Sequence, residues 1–248
     1  MEIIPVIDVL GGVVVRGVGG RRSEYRPIES ALVDGSDPID VANAFRDKLK
    51  LSKIYVADLD GIQDARPRYE LYRALADAGF SLLVDAGIRD TDEAVAVLST
   101  GATSVIAALE TSPGPDHLRA LCDTLGPEKV VFSLDLIDGR PLIASDQWKR
   151  ADPVEIGSSA VEAGIERMIV LDLTHVGVGA GIGTTELCRT LRTRHPKLRI
   201  MTGGGVRNSD DIRAICPSGV DGVLVASALH TGAISAGDLQ FFRSNTSG

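Results

Sequence analysis

Two aspartates set the chemical expectation for this chain. Asp8 closes the apolar run 3–9 and Asp135 closes the run 130–135. If these runs are the first and fifth strands of a closed eight-stranded sheet, the carboxylates face each other across its mouth. A small substrate between them would meet one general acid and one general base. Further apolar runs also end in aspartate: Asp58 (with Asp60 close behind), Asp85 and Asp172. Placing a carboxylate at the end of a buried strand carries a desolvation cost that needs an offset. Each could also cap the loop that follows its strand, and for Asp58 and Asp60 that reading stands level with the functional one.

A second constellation suits an anion. Thr202-Gly203-Gly204-Gly205-Val206-Arg207 is a glycine turn that opens a helix, and Ala226-Ser227 opens another. Bare amides at a helix start approach a phosphate closely and favour its charge. Gly203, Gly204, Gly205, Ala226 and Ser227 are therefore the expected phosphate contacts, with a tight turn alone as the rival. The stretch Gly177–Gly183 is glycine-rich but fits neither G-x-G-x-x-G nor a Walker sequence. It reads as a mobile loop over the site or as a plain linker. Arg16, Asp58, Asp85, Trp148 and His175 complete the candidate substrate contacts. His117, His195 and His230 show no metal-ligand spacing, so neither a metal nor a cofactor is expected.

The elements that must carry these residues alternate. Eight short runs rich in Val, Ile and Leu read as buried parallel strands: 3–9, 53–58, 81–85, 103–107, 130–135, 167–172, 198–203 and 222–226. Amphipathic stretches at 38–50, 69–79, 91–101, 152–164 and 209–219 read as helices. Thr91, Asp152 and Ser209 are their expected caps, and Gly79, Gly101, Gly164 and Gly219 their stops. Eight strand–helix units in 248 residues fit a (β/α)8 TIM barrel better than a doubly wound sheet. Val13–Arg16 and Arg140–Ala144 read as hairpin excursions, and the polar tail from Arg243 is expected to fray.

An internal repeat sharpens that reading. Residues 87–109 match residues 205–227 without a gap, with Gly87/Gly205, Arg89/Arg207, Asp92/Asp210, Gly101/Gly219 and Ala108/Ala226 among the identities. Strands 1–4 thus recur as strands 5–8, which predicts one barrel over residues 1–248 built from half-barrels at about 1–122 and 123–242.

Composition narrows the partners. A net charge of −8 and 4% aromatic residues argue against nucleic acid, which needs a basic stripe or stacking platform. Three cysteines without CxxC spacing argue against a disulfide framework or zinc ribbon. No apolar run is long enough to span a membrane, and MEIIPVIDVLGG is not a signal peptide. A cytoplasmic protein with a small phosphorylated substrate is expected. Its oligomeric state is open, with a monomer favoured.

IPVIDVLGGVVVRG, YVADLDGI, the GIR after strand 3, FSLDLIDGRP, Trp148, GGGVR and VASAL together resemble one family over nearly the full length. It is the phosphoribosylformimino-aminoimidazole-carboxamide ribotide isomerase of histidine biosynthesis, with its sister cyclase. The resemblance implies a half-barrel fold and a cofactor-free Amadori rearrangement of an aminoaldose to an aminoketose. It implies Asp8 as general base and Asp135 as general acid. The chain also departs from the pattern. Where the family has a first-half phosphate cradle, it reads Asp85-Ala86-Gly87 and Ala107-Ala108. Asp172 stands where the family has a catalytic threonine and is a candidate third catalytic residue. Gly177–Gly183 replaces an Asp-Gly-Thr, and Ala226-Ser227 stand in place of a glycine and a basic residue.

A carboxylate about 5 Å from one phosphate charge costs roughly 3 kcal/mol at an effective dielectric near 20. Asp85 therefore predicts a single phosphate site, in the second half, and a hydroxyl or amine at the other end. The reading is a divergent paralogue of the isomerase. Its alternatives are a paralogue serving tetrahydromethanopterin-linked one-carbon metabolism and a non-catalytic ligand-binding barrel.

Overall fold

In the computed structural model, residues 1–143, 145–148 and 152–244 are described. Eight parallel strands form the barrel: β1 (Glu2–Leu10), β2 (Lys53–Asp58), β3 (Ser81–Asp85), β4 (Ser104–Ala108), β5 (Val130–Ile137), β6 (Arg167–Asp172), β7 (Arg199–Gly203) and β8 (Gly222–Val225). Each pairs with its neighbour in sequence order, and β1 pairs back onto β8 with Ile3 beside Val223, which closes the sheet. All eight strands lie where the apolar runs predict them.

Side-chain alternation divides the apolar residues into two layers. Ile4, Tyr55, Ala57, Leu83, Ile106, Val131, Ile169, Met201 and Leu224 fill the barrel interior. Their sequence neighbours, such as Ile54, Val56, Leu82 and Phe132, belong to a larger cluster that packs against the helices. This plug of side chains leaves the C-terminal strand ends as the place where a cavity can open.

The helices are α1 (Pro38–Leu49), α2 (Leu59–Asp64), α3 (Tyr69–Asp77), α4 (Thr91–Leu98), α5 (Pro115–Leu125), α6 (Pro153–Glu162), α7 (Thr185–Arg194), α8 (Ser209–Ile215), α9 (Ser227–His230) and α10 (Ala236–Ser244). The caps of α4 and α8 lie one residue earlier than predicted. The Asp90 carboxylate accepts from Glu93 N, and the Asn208 side chain accepts from Asp210 N and Asp211 N. Asp152 caps α6 as expected. Gly79, Gly101, Gly164 and Gly219 all take positive φ at the helix stops. The tail differs from its reading: α10 continues through Ser244, so its first two residues are helical, and 245–248 lie outside the described residues. Ala144, the last residue of the second hairpin excursion, also lies outside them.

The repeat is visible in local contacts. Arg89 N donates to Glu93 Oε2 at 2.7 Å, and Arg207 N donates to Asp211 Oδ2 at 2.8 Å, at equivalent positions. Gly87 and Gly205 take φ of 71° and 80° in the matching turns.

Candidate functional site

A cavity of about 620 Å³ opens at the C-terminal ends of the strands. Asp8, Asp85 and Asp135, from the alternate strands β1, β3 and β5, all line it. Tyr55, from β2, stands among them and donates its hydroxyl to Asp85 Oδ2 at 3.1 Å. Burial, then the charges of Asp85, Asp135 and Asp8, hold that phenol well above its usual range.

The three carboxylates share a direction of perturbation. Burial pushes Asp8 up to about 7, against the pull of Arg22. Asp85 also rises to about 7, through burial and then the charge of Glu110. Asp135 is driven well above its ordinary value by burial, and the charges of Glu110 and Asp85 add to this. Ser133 Oγ donates to Asp135 Oδ1 at 2.6 Å, whereas Oδ2 is buried without a hydrogen-bond partner. Asp8 and Asp85 thus sit near neutrality, and Asp135 is displaced in the same direction. Buried strand-end acids raised in one shared cavity are suited to proton transfer.

On the far side of the cavity, Gly204, Gly205, Ala226 and Ser227 line the wall beside Arg207. Gly203 does not. A Cβ there would lie 2.8 Å from Leu224 Cβ, so Gly203 serves the close approach of β7 to β8. A Cβ at Gly205 would fall 2.5 Å from Gly181 O. Only a bare, positive-φ backbone admits the Gly177–Gly183 loop there. That loop is fastened at several points: Gly181 N donates to Gly205 O at 3.0 Å, and Arg16 Nη2 donates to Gly177 O at 2.9 Å. Gly177, Val178 and Gly179 form part of the cavity wall, as does Arg16.

Comparison with known proteins adds to this geometry. The family model of the histidine biosynthesis proteins matches residues 2–235. The chain belongs to that family. It is 28% identical over 251 residues to a protein of Thioalkalivibrio sulfidiphilus, covering 97% of this chain and 98% of the relative. That relative is named 1-(5-phosphoribosyl)-5-((5-phosphoribosylamino)methylideneamino) imidazole-4-carboxamide isomerase. A Bacteroides fragilis protein of the same name is 29% identical over 249 residues, covering 98% of this chain and 99% of the relative. An uncharacterised protein of Methanocaldococcus jannaschii is 29% identical over 237 residues, with 94% and 95% covered.

Within this histidine biosynthesis family member, several sequence-predicted contacts stand apart from the cavity. Asp58 is fully buried and accepts from Gly61 N at 3.2 Å, from Arg68 N at 2.7 Å and from the Tyr72 hydroxyl. Asp60 accepts from Gly11 N and the Arg68 guanidinium. Asp172 accepts from Asp138 N, Gly139 N at 2.8 Å and Thr174 N, so it ties the hairpin after β5 to the end of β6. These carboxylates serve backbone amides together with the Tyr72 hydroxyl and the Arg68 guanidinium. Trp148 lies outside the cavity lining: it is 4% exposed, stacks on Phe132 at 5.5 Å and donates Nε1 to Ser112 O at 3.0 Å. Phe132 points toward the helices, and Trp148 follows it into that layer. His175 donates Nδ1 to Gly181 O at 2.9 Å and braces the glycine loop. Among the described residues no helix is long and apolar enough to cross a membrane.

The cavity also recruits residues that the sequence reading passed over. Arg22 reaches Glu110 at 2.8 Å across a separation of 88 residues, and Arg21, Tyr25 and Tyr55 join them in the lining. Only Tyr55 had a usable signal, a hydroxyl on the inward face of an alternating strand.

Proposed function

We propose that this protein is a cofactor-independent acid/base isomerase that converts a phosphorylated aminoaldose into the aminoketose. The observation that carries the reading is the pair Asp8 and Asp135. They lie on opposed strands of one cavity, and burial raises both carboxyls above their ordinary range. Protonated Asp135 donates to the ring oxygen, the C1–O bond breaks, and the ring opens to an iminium. The Asp8 carboxylate takes the C2 proton, and the electron pair forms an enaminol. Proton return to C1 and loss of the hydroxyl proton give the ketose, so substrate and product are isomers. Bis-phosphorylated ribotide isomerases among the relatives, which the chain matches over nearly its whole length, support the reaction class.

The substrate differs from theirs at one end. Gly204, Gly205, Ala226 and Ser227 hold the single phosphate through backbone amides, with Arg207 alongside. The equivalent first-half turn is closed by its own carboxylate, because Gly87 N donates to Asp85 Oδ1 at 3.1 Å. The test is the rate on the bis-phosphorylated ribotide against that on an aminoaldose with one phosphate, with phosphate soaked into crystals. Faster turnover of the single-phosphate substrate and one anion beside Gly204 are expected. Efficient turnover of the bis-phosphate, or anion density beside Asp85-Ala86-Gly87, would overturn the reading.

A further inference from the structure

The first-half end of the cavity holds more carboxylate than its cations offset. Asp85 and Asp135 are each 5% exposed, and Glu110 follows β4 beside them. The three act on one another through space: Glu110 pushes up both aspartates, and Asp85 pushes up Asp135. Four arginines line the cavity, but three are engaged elsewhere. Arg16 donates to Gly177 O, Arg21 pairs with Glu24 at 2.7 Å, and Arg207 pairs with Asp211 at 2.6 Å. Arg22 alone meets the cluster, and a single nitrogen of it takes both Glu110 oxygens, at 2.8 and 3.0 Å. Asp135 Oδ2 is buried and makes no hydrogen bond, although the Glu110 backbone amide lies near enough to Asp135 to oppose its upward shift. A buried polar atom in that condition is costly, and a polar group of a ligand relieves the cost.

We propose that this end of the cavity binds a protonated amine of the substrate, with Asp85 and Glu110 as its acceptors and Asp135 Oδ2 within the same cluster. The proposal rests on the isomerase reading for the phosphate at the opposite end, and it names the group that replaces the second phosphate. Charge decides among the ligands. A phosphate would be repelled by the ionised forms of Asp85 and Glu110, which line that end. A hydroxyl supplies a donor but leaves the charge excess in place. A divalent ion needs a convergent ligand set, and among the described residues no group of three His, Cys, Asp or Glu could hold one. An ammonium supplies three donors and a positive charge, and each carboxylate oxygen that already accepts one bond retains a second lone pair. The cavity is then polarised along its length, with a cation at the first half and an anion at the second.

The test is calorimetric titration of the whole protein with ω-aminoalkyl phosphates against ω-hydroxyalkyl phosphates of matched length, across a series of lengths. The best aminoalkyl phosphate is expected to bind at least about tenfold tighter than its hydroxyl partner. In Asp85→Asn, whose oxygen can still accept from Gly87 N while its NH2 donates to the Tyr55 hydroxyl, the ratio should fall to about one. In Glu110→Gln it should also fall. Inorganic phosphate should bind both variants as it binds the wild type, because its cradle lies across the cavity. A ratio near one at every length, or a ratio unmoved by both variants, overturns the proposal. Failure of inorganic phosphate to bind would instead count against the phosphate cradle. Hexylamine against hexanol then reads the amine end alone, with the same ratio expected and parity overturning it.

Discussion

At equivalent turns, the two halves of the barrel treat the same backbone differently. Gly87 and Gly205 share a positive φ, and Arg89 and Arg207 make the same contact to an acid four residues on. The second half leaves its turn lined by glycine, alanine and serine. The first half places Asp85 where the second has Gly203, and Asp85 takes the Gly87 amide for itself. After β4, Glu110 and the Arg22 guanidinium occupy the ground that Ala228 occupies after β8. One scaffold therefore yields an end lined by small residues and a carboxylate-rich end, and a few side chains make the difference.

The largest expected effects concern the residues between those ends. Asp8→Asn and Asp135→Asn keep shape but cannot transfer a proton, so turnover should fall by about 10²–10⁴-fold with the circular dichroism spectrum unchanged. Near-wild-type rates in both would remove them from the chemistry. Ser227→Asp would give the second half the charge that Asp85 gives the first. Phosphate affinity, measured by calorimetry, should fall by about 100-fold, the equivalent of the roughly 3 kcal/mol charge term. An unchanged affinity would place the anion elsewhere.

Asp85→Asn reads the cost of the first-half carboxylate. Its carboxyl sits near 7 when folded against an ordinary 3.8, so between those values the folded protein holds a proton that the unfolded chain has lost. Stability therefore falls as pH rises through that window. The variant should be more stable than wild type by roughly 1–3 kcal/mol at about pH 8, with the gain gone near pH 4. A denaturant melt at each pH checks this, and a gain at low pH would reverse the sign. The smallest effect is expected at Trp148. Trp148→Phe loses the bond to Ser112 O, worth about 1 kcal/mol in stability, and should leave KM and kcat within about twofold. A large change in KM would restore Trp148 to the site.

Much of the fold was legible because strand and helix signals are local. Continuous apolar runs marked all eight strands, since a parallel sheet covered on both faces needs apolar residues on both. The caps were displaced by one residue because the short polar chains of Asp90 and Asn208 reach back to the first-turn amides from just outside the helix. Helices α2, α5, α7, α9 and α10 were not among the amphipathic stretches read from the sequence; α2 is short, and its Gly61 packs where a Cβ would lie 2.8 Å from Ala86 O. Periodicity cannot show such a contact.

The site divided along the same line. The sequence by itself determined that acids stand at strand ends, that strands 1 and 5 carry two of them to opposite walls, and that a glycine turn follows the seventh strand. Which acids face the cavity was decided by tertiary structure. Asp58 and Asp172 turned to amides presented by the neighbouring loops, whereas Asp8, Asp85 and Asp135 remained in the cavity. Arg22 and Glu110 found each other across 88 residues, and the mutual repulsion of the buried carboxylates arose only once the closed barrel brought their strands together. A strand-end aspartate is a local fact of the chain, but its partners and its proton depend on every element that closes around it.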